Sequence, residues 1–366
     1  MTAKKIPVGI LGATGMVGQR FVALLKDHPW FETVYLAASE RSAGKTYAEA
    51  VAGKWAQQCP VPDAAQSLTV HSIEKDLDAA CGSARIFFSA IGADKDLIRK
   101  IEERYAAKGA LVISNNSAHR WTEDVPVIMP EINPEHLRMI EIQRKNRGWK
   151  TGCIVAKPNC SIQSYVPLLH AWKRFEPLEA VVSTYQAISG AGKTFAGWPE
   201  MIDNVMPFIK GEEEKSEKEP MKIWAKMENG TFVPADVPRI SANCIRVPVS
   251  DGHTAAINIR FGRKPSKSEL IEAIRNFKNP LDGLNLPSSP KQFIEYFDED
   301  DRPQARLDRD FEGGMGITAG RLREDPVLGW KCVALSHNTV RGAAGGAILI
   351  AELMVEKGYL ENTIFS

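Results

Sequence analysis

Chemistry is most legible in the stretch Lys157-Pro158-Asn159-Cys160-Ser161-Ile162-Gln163. An apolar run from Gly152 to Ala156 precedes it and predicts a buried strand; Val166 to Trp172 follows and predicts a helix. Pro158 and Asn159 predict a turn between the two, with Asn159 or Ser161 capping the helix start. Cys160 then stands at the first helical turn, where the partial positive charge of a helix N-terminus stabilises a thiolate and lowers the thiol pKa. Cys160 reads as a nucleophile. A half-buried structural cysteine fits the same position, since free cysteine is among the most buried residue types.

A thiol nucleophile needs a base. His253, following the glycine turn Asp251-Gly252, is the histidine in a site-like setting; His28, His71, His119, His136, His170 and His337 have none. A lone histidine is also commonly structural, so the Cys160–His253 pairing is an expectation for the structure to meet.

The second chemical feature lies at the start of the chain. Gly12-Ala13-Thr14-Gly15-Met16-Val17-Gly18 joins a predicted strand, Ile6 to Leu11, to a helical pattern at Phe21 to Leu25. Strand, glycine turn and helix in that order form the dinucleotide-binding context, although the spacing is G-x-x-G-x-x-G instead of G-x-G-x-x-G. Gly12, Thr14, Gly15, Met16 and Val17 are the candidate cofactor contacts, with the helix N-terminus favouring a pyrophosphate. A glycine turn without a ligand has the same pattern. After the second strand, Thr33 to Ala38, come Ser39, Glu40, Arg41 and Ser42. Glu40 suits free ribose hydroxyls; Ser39, Arg41 and Ser42 together favour a 2′-phosphate, hence NADP. A solvated loop charge is the plainer reading of Arg41. Ser89 closes a further strand, Arg85 to Ala90, where small residues let the backbone lie against a cofactor. Arg120, after the strand Ala110 to Ser114, is a candidate anion ligand, because ligands bind beyond the carboxyl ends of parallel strands. A nicotinamide-type fold with a reactive cysteine suggests aldehyde or acyl-phosphate chemistry.

The bulk numbers fit such an enzyme. The chain has 366 residues, 44% apolar and 25% charged, enough for about two or three domains with sizeable cores. A net charge of +1 gives no electrostatic case for nucleic acid or an anionic membrane. The six scattered cysteines form neither a disulfide framework nor a zinc site, so no metal is expected and a reducing, cytoplasmic setting is. No window holds 18 uncharged apolar residues, and no internal repeat is visible.

Beyond residue 175 the pattern changes to long alternating strands at Leu178 to Gln186 and Thr254 to Phe261, a helix at Lys267 to Phe277, and strands at Gly313 to Leu322 and Trp330 to Ser336. Gly192-Lys193-Thr194 imitates the end of a phosphate loop, but Ala187 stands where that loop needs glycine. On composition, the run from Lys210 to Glu219 reads as a solvated helix face or mobile loop. Ala347 to Glu356 predicts a final helix, preceded by the small residues Gly342 to Gly346.

Six motifs carry a resemblance: Gly12 to Gly18, Asn116 to Arg120, Pro158 to Ser161, Tyr185 to Gly192, Arg246 to His253 and Asn338 to Ala344. In this order, across nearly the whole chain, they resemble the aspartate-β-semialdehyde dehydrogenase family. The length, and Gly313-Gly314-Met315-Gly316-Ile317, look like its archaeal and fungal branch. The resemblance implies NADPH-dependent reduction of β-aspartyl phosphate to aspartate β-semialdehyde through a Cys160 thioester, within the aspartate pathway to threonine and methionine. It implies His253 as general acid/base, Gln186 orienting the acyl group or attacking water, and Asn159 positioning the nucleophile. It implies Arg246 on the substrate carboxylate, Glu212 on its ammonium (Glu213 in the alternative register), Lys215 on phosphate and Arg120 on the acyl phosphate. Ser189, Gly190 and Asn338 would contact the nicotinamide half. Malonyl-CoA reductase and N-acetyl-glutamyl-phosphate reductase resemble the same pattern, and Glu212 speaks against malonyl groups, which carry no ammonium. A non-catalytic sensor would lack the Cys or the His.

The implied fold is α/β. A Rossmann-like doubly wound dinucleotide-binding domain spans 1–157 with 338–366, and an α+β catalytic and dimerisation domain spans 158–337. The family is a homodimer or homotetramer with small-molecule substrates.

Overall fold

The computed structural model describes residues 4–360; the ends of the expected cofactor domain, 1–3 and 361–366, lie outside the described residues. Six short strands form the first sheet: β1 (Ile6–Leu11), β2 (Phe31–Ala38), β3 (Val70–Ser72), β4 (Ile86–Ser89), β5 (Leu111–Ser114) and β6 (Cys153–Ala156). All pairings are parallel, in the order β3-β2-β1-β4-β5-β6. The order reverses between β1 and β4, which places a crevice at their carboxyl ends. The strands read as continuous apolar runs because both faces are covered. Val8, Ile10, Phe88 and Ile113 point into one cluster with Ile348 and Leu349 of the last helix, Gly345–Glu356. Leu11, Phe87, Val112 and Ile154 point into the other, with Ile98 and Ile101 of the helix Lys95–Ala107.

The second sheet is mixed. It contains β7 (Pro177–Gln186), β10 (Arg239–Arg246), β11 (His253–Phe261), β12 (Ile294–Phe297), β13 (Ile317–Asp325) and β14 (Gly329–Ser336), ordered β10-β7-β11-β14-β13-β12. A small hairpin, β8 (Lys226–Glu228) with β9 (Thr231–Val233), stands apart. The strand expected from Gly313 begins only at Ile317, because Gly313 and Gly314 have positive φ (65° and 83°) and turn the chain first. Residues 46–67 brace the glycine loop from behind. The Tyr47 hydroxyl donates to Ala13 O, Gln57 Nε2 to Met16 O, and Gln19 links Thr14 O to Lys54 O and the Ala56 amide.

One apolar cluster runs from the first sheet through Ile162, Tyr165, Leu168 and Trp172 to Val182, Ile257 and Ile259 of the second. The segment after Cys160 is therefore the shared wall between the sheets. Arg341 pins this wall to the last helix. It is buried, donates to both carboxylate oxygens of buried Glu131 and to Gln163 Oε1 at 3.1 Å, and lies over the Phe293 ring. Truncating one member of such a pair leaves a buried charge uncompensated, at a cost of about 3–5 kcal/mol. Arg341→Met should lower unfolding free energy by that amount in denaturant titration, and adding Glu131→Leu should recover a large part of it.

Candidate active site

Cys160 follows β6 and Asn159; the expected helix is present as Val166–Ala171, but a 3-10 turn, Ser161–Ser164, separates Cys160 from it, so Cys160 is not in its first turn. So short an element sums few peptide dipoles. Burial and Glu212 push the Cys160 thiol up, against the pull of Lys157, Arg120 and Arg246. The expected lowering by a helix N-terminus is thus corrected: without substrate Cys160 is a partly buried thiol, acted on by Lys157, Arg120 and Arg246 against Glu212.

Asn159 aligns it. The Asn159 Oδ1 accepts the Cys160 amide at 2.7 Å and lies 3.5 Å from Sγ. Its Nδ2 donates to Glu212 Oε1 at 2.6 Å, and its backbone N–H donates to Glu219 Oε2 at 2.7 Å. Both carboxylates come from one helix, Glu212–Ile223, out of the charge run. Glu212, Ser216 and Glu219 recur at helical spacing and are all buried, so the run is not a solvated face. Glu212 faces Asn159, while Glu213 Oε1 accepts the Cys244 amide of β10. Burial pushes the Glu212 carboxyl up, but Lys215, at 3.0 Å, and the Asn159 amide outweigh it and hold it below the usual carboxylate range.

His253 opens β11, and its Nε2 lies 3.5 Å from Cys160 Sγ. The Ala187 amide donates to Nδ1 at 3.1 Å. We assign the neutral ring's proton to Nε2 on that bond. Burial first, then Arg246, pushes the imidazole down to about 3, so the ring is neutral at physiological pH. Arg246 ends β10 and donates Nη1 to Ala187 O at 2.7 Å. Gln186, the last residue of β7, is buried with Nε2 on Thr184 Oγ1. Asn338 bridges the Gly252 amide and Ser189 Oγ, each at 2.8 Å, and so ties the start of the last helical segment to this rim.

Arg120 is also buried here, but its side chain holds the frame. It donates to Glu219 Oε1 at 2.8 Å and to the Lys157 and Asn115 carbonyls. Ser89 is fully buried, with Oγ turned to Glu102 and its carbonyl on the Asn115 amide, so Ala90 and Ile91 after it, not Ser89, line the crevice. Lys157, Glu219 and Lys222, which donates to the Arg120 and Thr122 carbonyls, belong to the site's frame and were missed by sequence reasoning. The available signals were the four-and-three spacing of Glu212, Ser216 and Glu219, and a lysine closing an apolar strand.

The cofactor crevice has a volume of about 420 Å³ at the carboxyl ends of β1, β2 and β4, walled by Gly12, Thr14, Gly15, Ser39, Glu40 and Ser72 among others. Gly12 has φ +88°, and a Cβ there would meet Ala90 O at 2.3 Å, so only glycine fits. Glu40 is held by Ser72 Oγ and, at 2.8 Å, by Lys75 Nζ. Arg41 and Ser42 follow on the same turn, and Met16 and Val17 open the helix Met16–Leu24 behind Gly15. A larger cavity of 610 Å³, beside Leu169, Trp224 and Val237, contains no residue of this site.

A dinucleotide-type crevice together with a cysteine–histidine pair 3.5 Å apart defines a nicotinamide-dependent acyl or aldehyde oxidoreductase. Comparison agrees: the sequence model of the semialdehyde dehydrogenase NAD-binding domain matches residues 7–140, and that of the semialdehyde dehydrogenase dimerisation domain matches 167–341. The aspartate-semialdehyde dehydrogenase of Archaeoglobus fulgidus is 47% identical, with 96% of this chain and 98% of the relative covered; that of Saccharomyces cerevisiae is 41% identical, covering 98% and 100%. The crystal structure of the Candida albicans aspartate semialdehyde dehydrogenase with NADP superposes with a TM-score of 0.86 at 38% identity, covering 96% and 99%. The chain belongs to the aspartate-semialdehyde dehydrogenase family, and it is an oxidoreductase of that kind.

Gly190 sits against the catalytic rim. A Cβ there would lie 2.8 Å from Arg246 Nη1 and 3.1 Å from His253 Nε2. Gly190→Ala must displace one of them, and misplacement on the ångström scale costs about 100-fold in rate. Steady-state kinetics should show kcat/KM falling by about that factor, with the melting temperature little changed.

Proposed function

We propose that the chain interconverts β-aspartyl phosphate and aspartate β-semialdehyde, using NADP(H), through a thioester on Cys160. The single observation that carries this is the 3.5 Å approach of His253 Nε2 to Cys160 Sγ, beside Arg246 and Glu212. The cofactor crevice fits the dinucleotide, and when bound NADPH supplies the hydride. Glycine-loop residues Gly12, Thr14, Gly15, Met16 and Val17 would hold its pyrophosphate, with Ser39, Arg41 and Ser42 near the 2′-phosphate. Ser189, Gly190 and Asn338 would lie on the nicotinamide side, with Ser89 supporting the crevice floor from beneath.

The Cys160 thiolate attacks the acyl phosphate carbon. The C–S bond forms, the C–O bond to phosphate breaks, and phosphate leaves with its electron pair. Hydride addition to the thioester carbon gives a thiohemiacetal oxyanion on Cys160. The His253 Nε2–H, fixed by the Ala187 amide, points at this reacting centre and is the donor that steadies the oxyanion. Collapse breaks the C–S bond, returns the electron pair to sulfur and releases the semialdehyde. Arg246 grips the substrate carboxylate with its planar fork. Glu212, kept ionised, faces the substrate ammonium; Lys215 receives phosphate, and Gln186 orients the acyl group. Arg120, as well as meeting the acyl phosphate, positions Asn159 through Glu219.

The dimerisation-domain match, with Val181 and Tyr185 exposed on β7, supports a homo-oligomer, as a dimer or tetramer. Residues 1–157 with 338–366 serve as the cofactor unit and 158–337 as the catalytic unit, in the aspartate route to threonine and methionine. No helix among the described residues is long and apolar enough to cross a membrane, and a cytoplasmic site of action fits this chemistry.

Phosphate-dependent NADP⁺ reduction with aspartate β-semialdehyde tests the reading. Activity abolished in Cys160→Ala is expected. A folded, NADP-binding protein that is inactive here but active on acetylated or CoA substrates would refute it.

A further inference from the structure

Lys157 is a charged residue that the mechanism above does not use. It stands between β6 and the nucleophile and is 2% exposed. Its ammonium donates to Pro158 O at 2.8 Å and to Gly342 O. Pro158 belongs to the nucleophile turn; Gly342 lies in the π-turn Val340–Ala344 that leads into the last helix. No carboxylate forms an ion pair with Lys157 among the described residues. Arg120, Arg341 and Glu219 surround it at longer range, together with Cys160 itself. A buried ammonium held by neutral carbonyls is costly: burial pushes Lys157 well below the usual lysine range, and a negative Cys160 is the strongest pull in the other direction, so the lysine is charged together with the thiolate.

The packing around it is close. A Cβ at Gly342 would sit 2.8 Å from Cys160 Cβ, and a Cβ at Gly346 would sit 3.1 Å from Lys157 Cε. The small residues of this segment therefore admit the nucleophile turn and the lysine together. Lys157 bonds both sides of the contact, and the charge that answers its own most strongly is that of Cys160.

We propose that Lys157 is a positioning residue for the nucleophile: its buried ammonium fastens the Pro158–Cys160 turn to the π-turn of the C-terminal helix and supplies an unpaired positive charge that the Cys160 thiolate answers. Cys160 is faced by Lys157, Arg120, Arg246 and His253, with Glu212 as the opposing charge. Arg120 is already paired with Glu219, and Arg246 is assigned to the substrate carboxylate. His253 is neutral at physiological pH. In the free enzyme Arg246 bonds the Ala187 carbonyl and Lys157 the Pro158 carbonyl, so of the two cations Lys157 is the one fastened to the nucleophile's own turn. It stabilises the thiolate whenever Cys160 ionises, and collapse of the thiohemiacetal later returns the site to that state. This inference rests on the reading of Cys160 as the nucleophile.

The test is the pH dependence of Cys160 alkylation by iodoacetamide, followed by mass spectrometry of the Cys160 peptide, in the wild-type protein, Lys157→Met and Lys157→Gln. An opposite charge close by shifts a pKa by about 1–3 units. Both variants should move the alkylation midpoint upward by about one unit or more, so the rate at neutral pH falls about tenfold. Glutamine keeps a donor for one carbonyl without the charge. Its melting temperature should stay nearer the wild type than that of methionine, while its midpoint moves as far. With substrate, kcat should fall and KM change little. An unmoved midpoint in Lys157→Gln overturns the proposal, and so does a midpoint that moves only in a methionine variant that has lost its fold. If alkylation of Cys160 in the wild type leaves activity intact, the reading of Cys160 fails instead, and the two failures are distinct.

Discussion

Two carboxylates on one helix grip Asn159 from opposite sides, and the catalytic geometry depends on that grip. Glu219 takes its backbone N–H and Glu212 its side-chain amide, which leaves Oδ1 to accept the Cys160 amide. Each bond is charge-assisted or buried, and each removes a rotation that would swing Sγ away from His253. Arg120 completes the arrangement by neutralising Glu219 from behind. The cysteine is aimed by a polar frame, where a helix dipole had been the simpler expectation.

The fold exists to bring this frame and a cofactor crevice to one place. The doubly wound sheet sets the crevice at the strand ends, and β6 of the same sheet delivers Lys157 to Cys160. The second sheet supplies His253 and Arg246 from the ends of β11 and β10. The last helical segment returns to the first sheet and closes the contact through Asn338 and Arg341. Because one apolar cluster runs through both sheets, the substrate groups and the cofactor loop share a continuous support. The preorganisation that acyl transfer needs is thus carried by packing as much as by hydrogen bonds.

What could be read in advance followed from periodicity. The strands of the first sheet are apolar runs buried on both faces, and those of the second alternate, so both kinds announce themselves. Cys160 and His253 were visible because each stands beside a turn at a strand end. The helix Glu212–Ile223 reads on composition as either a solvated helix face or a mobile loop, since its polar face turns inward against other polar groups and leaves no apolar stripe to reveal it. Its ligands entered only through family resemblance. The partners of Lys157 and Glu219 lie 185 and 60 residues away in sequence, so the strand-end lysine and the helical spacing of the glutamate did not reveal what each holds. Arg120 was expected at the substrate and is largely engaged in the frame, a distinction that spacing cannot make. The bracing role of residues 46–67 depends on side-chain bonds to backbone carbonyls, which carry no sequence pattern.

The most direct measurement is hydrogen–deuterium exchange over residues 157–165 in the native protein and in Glu219→Gln. A grip on Asn159 predicts that this segment is protected in the native protein and that the substitution speeds exchange there by about tenfold or more, leaving the strands of both sheets unchanged. Equal exchange in the two proteins would contradict the claim that the helix carboxylates hold the nucleophile in place.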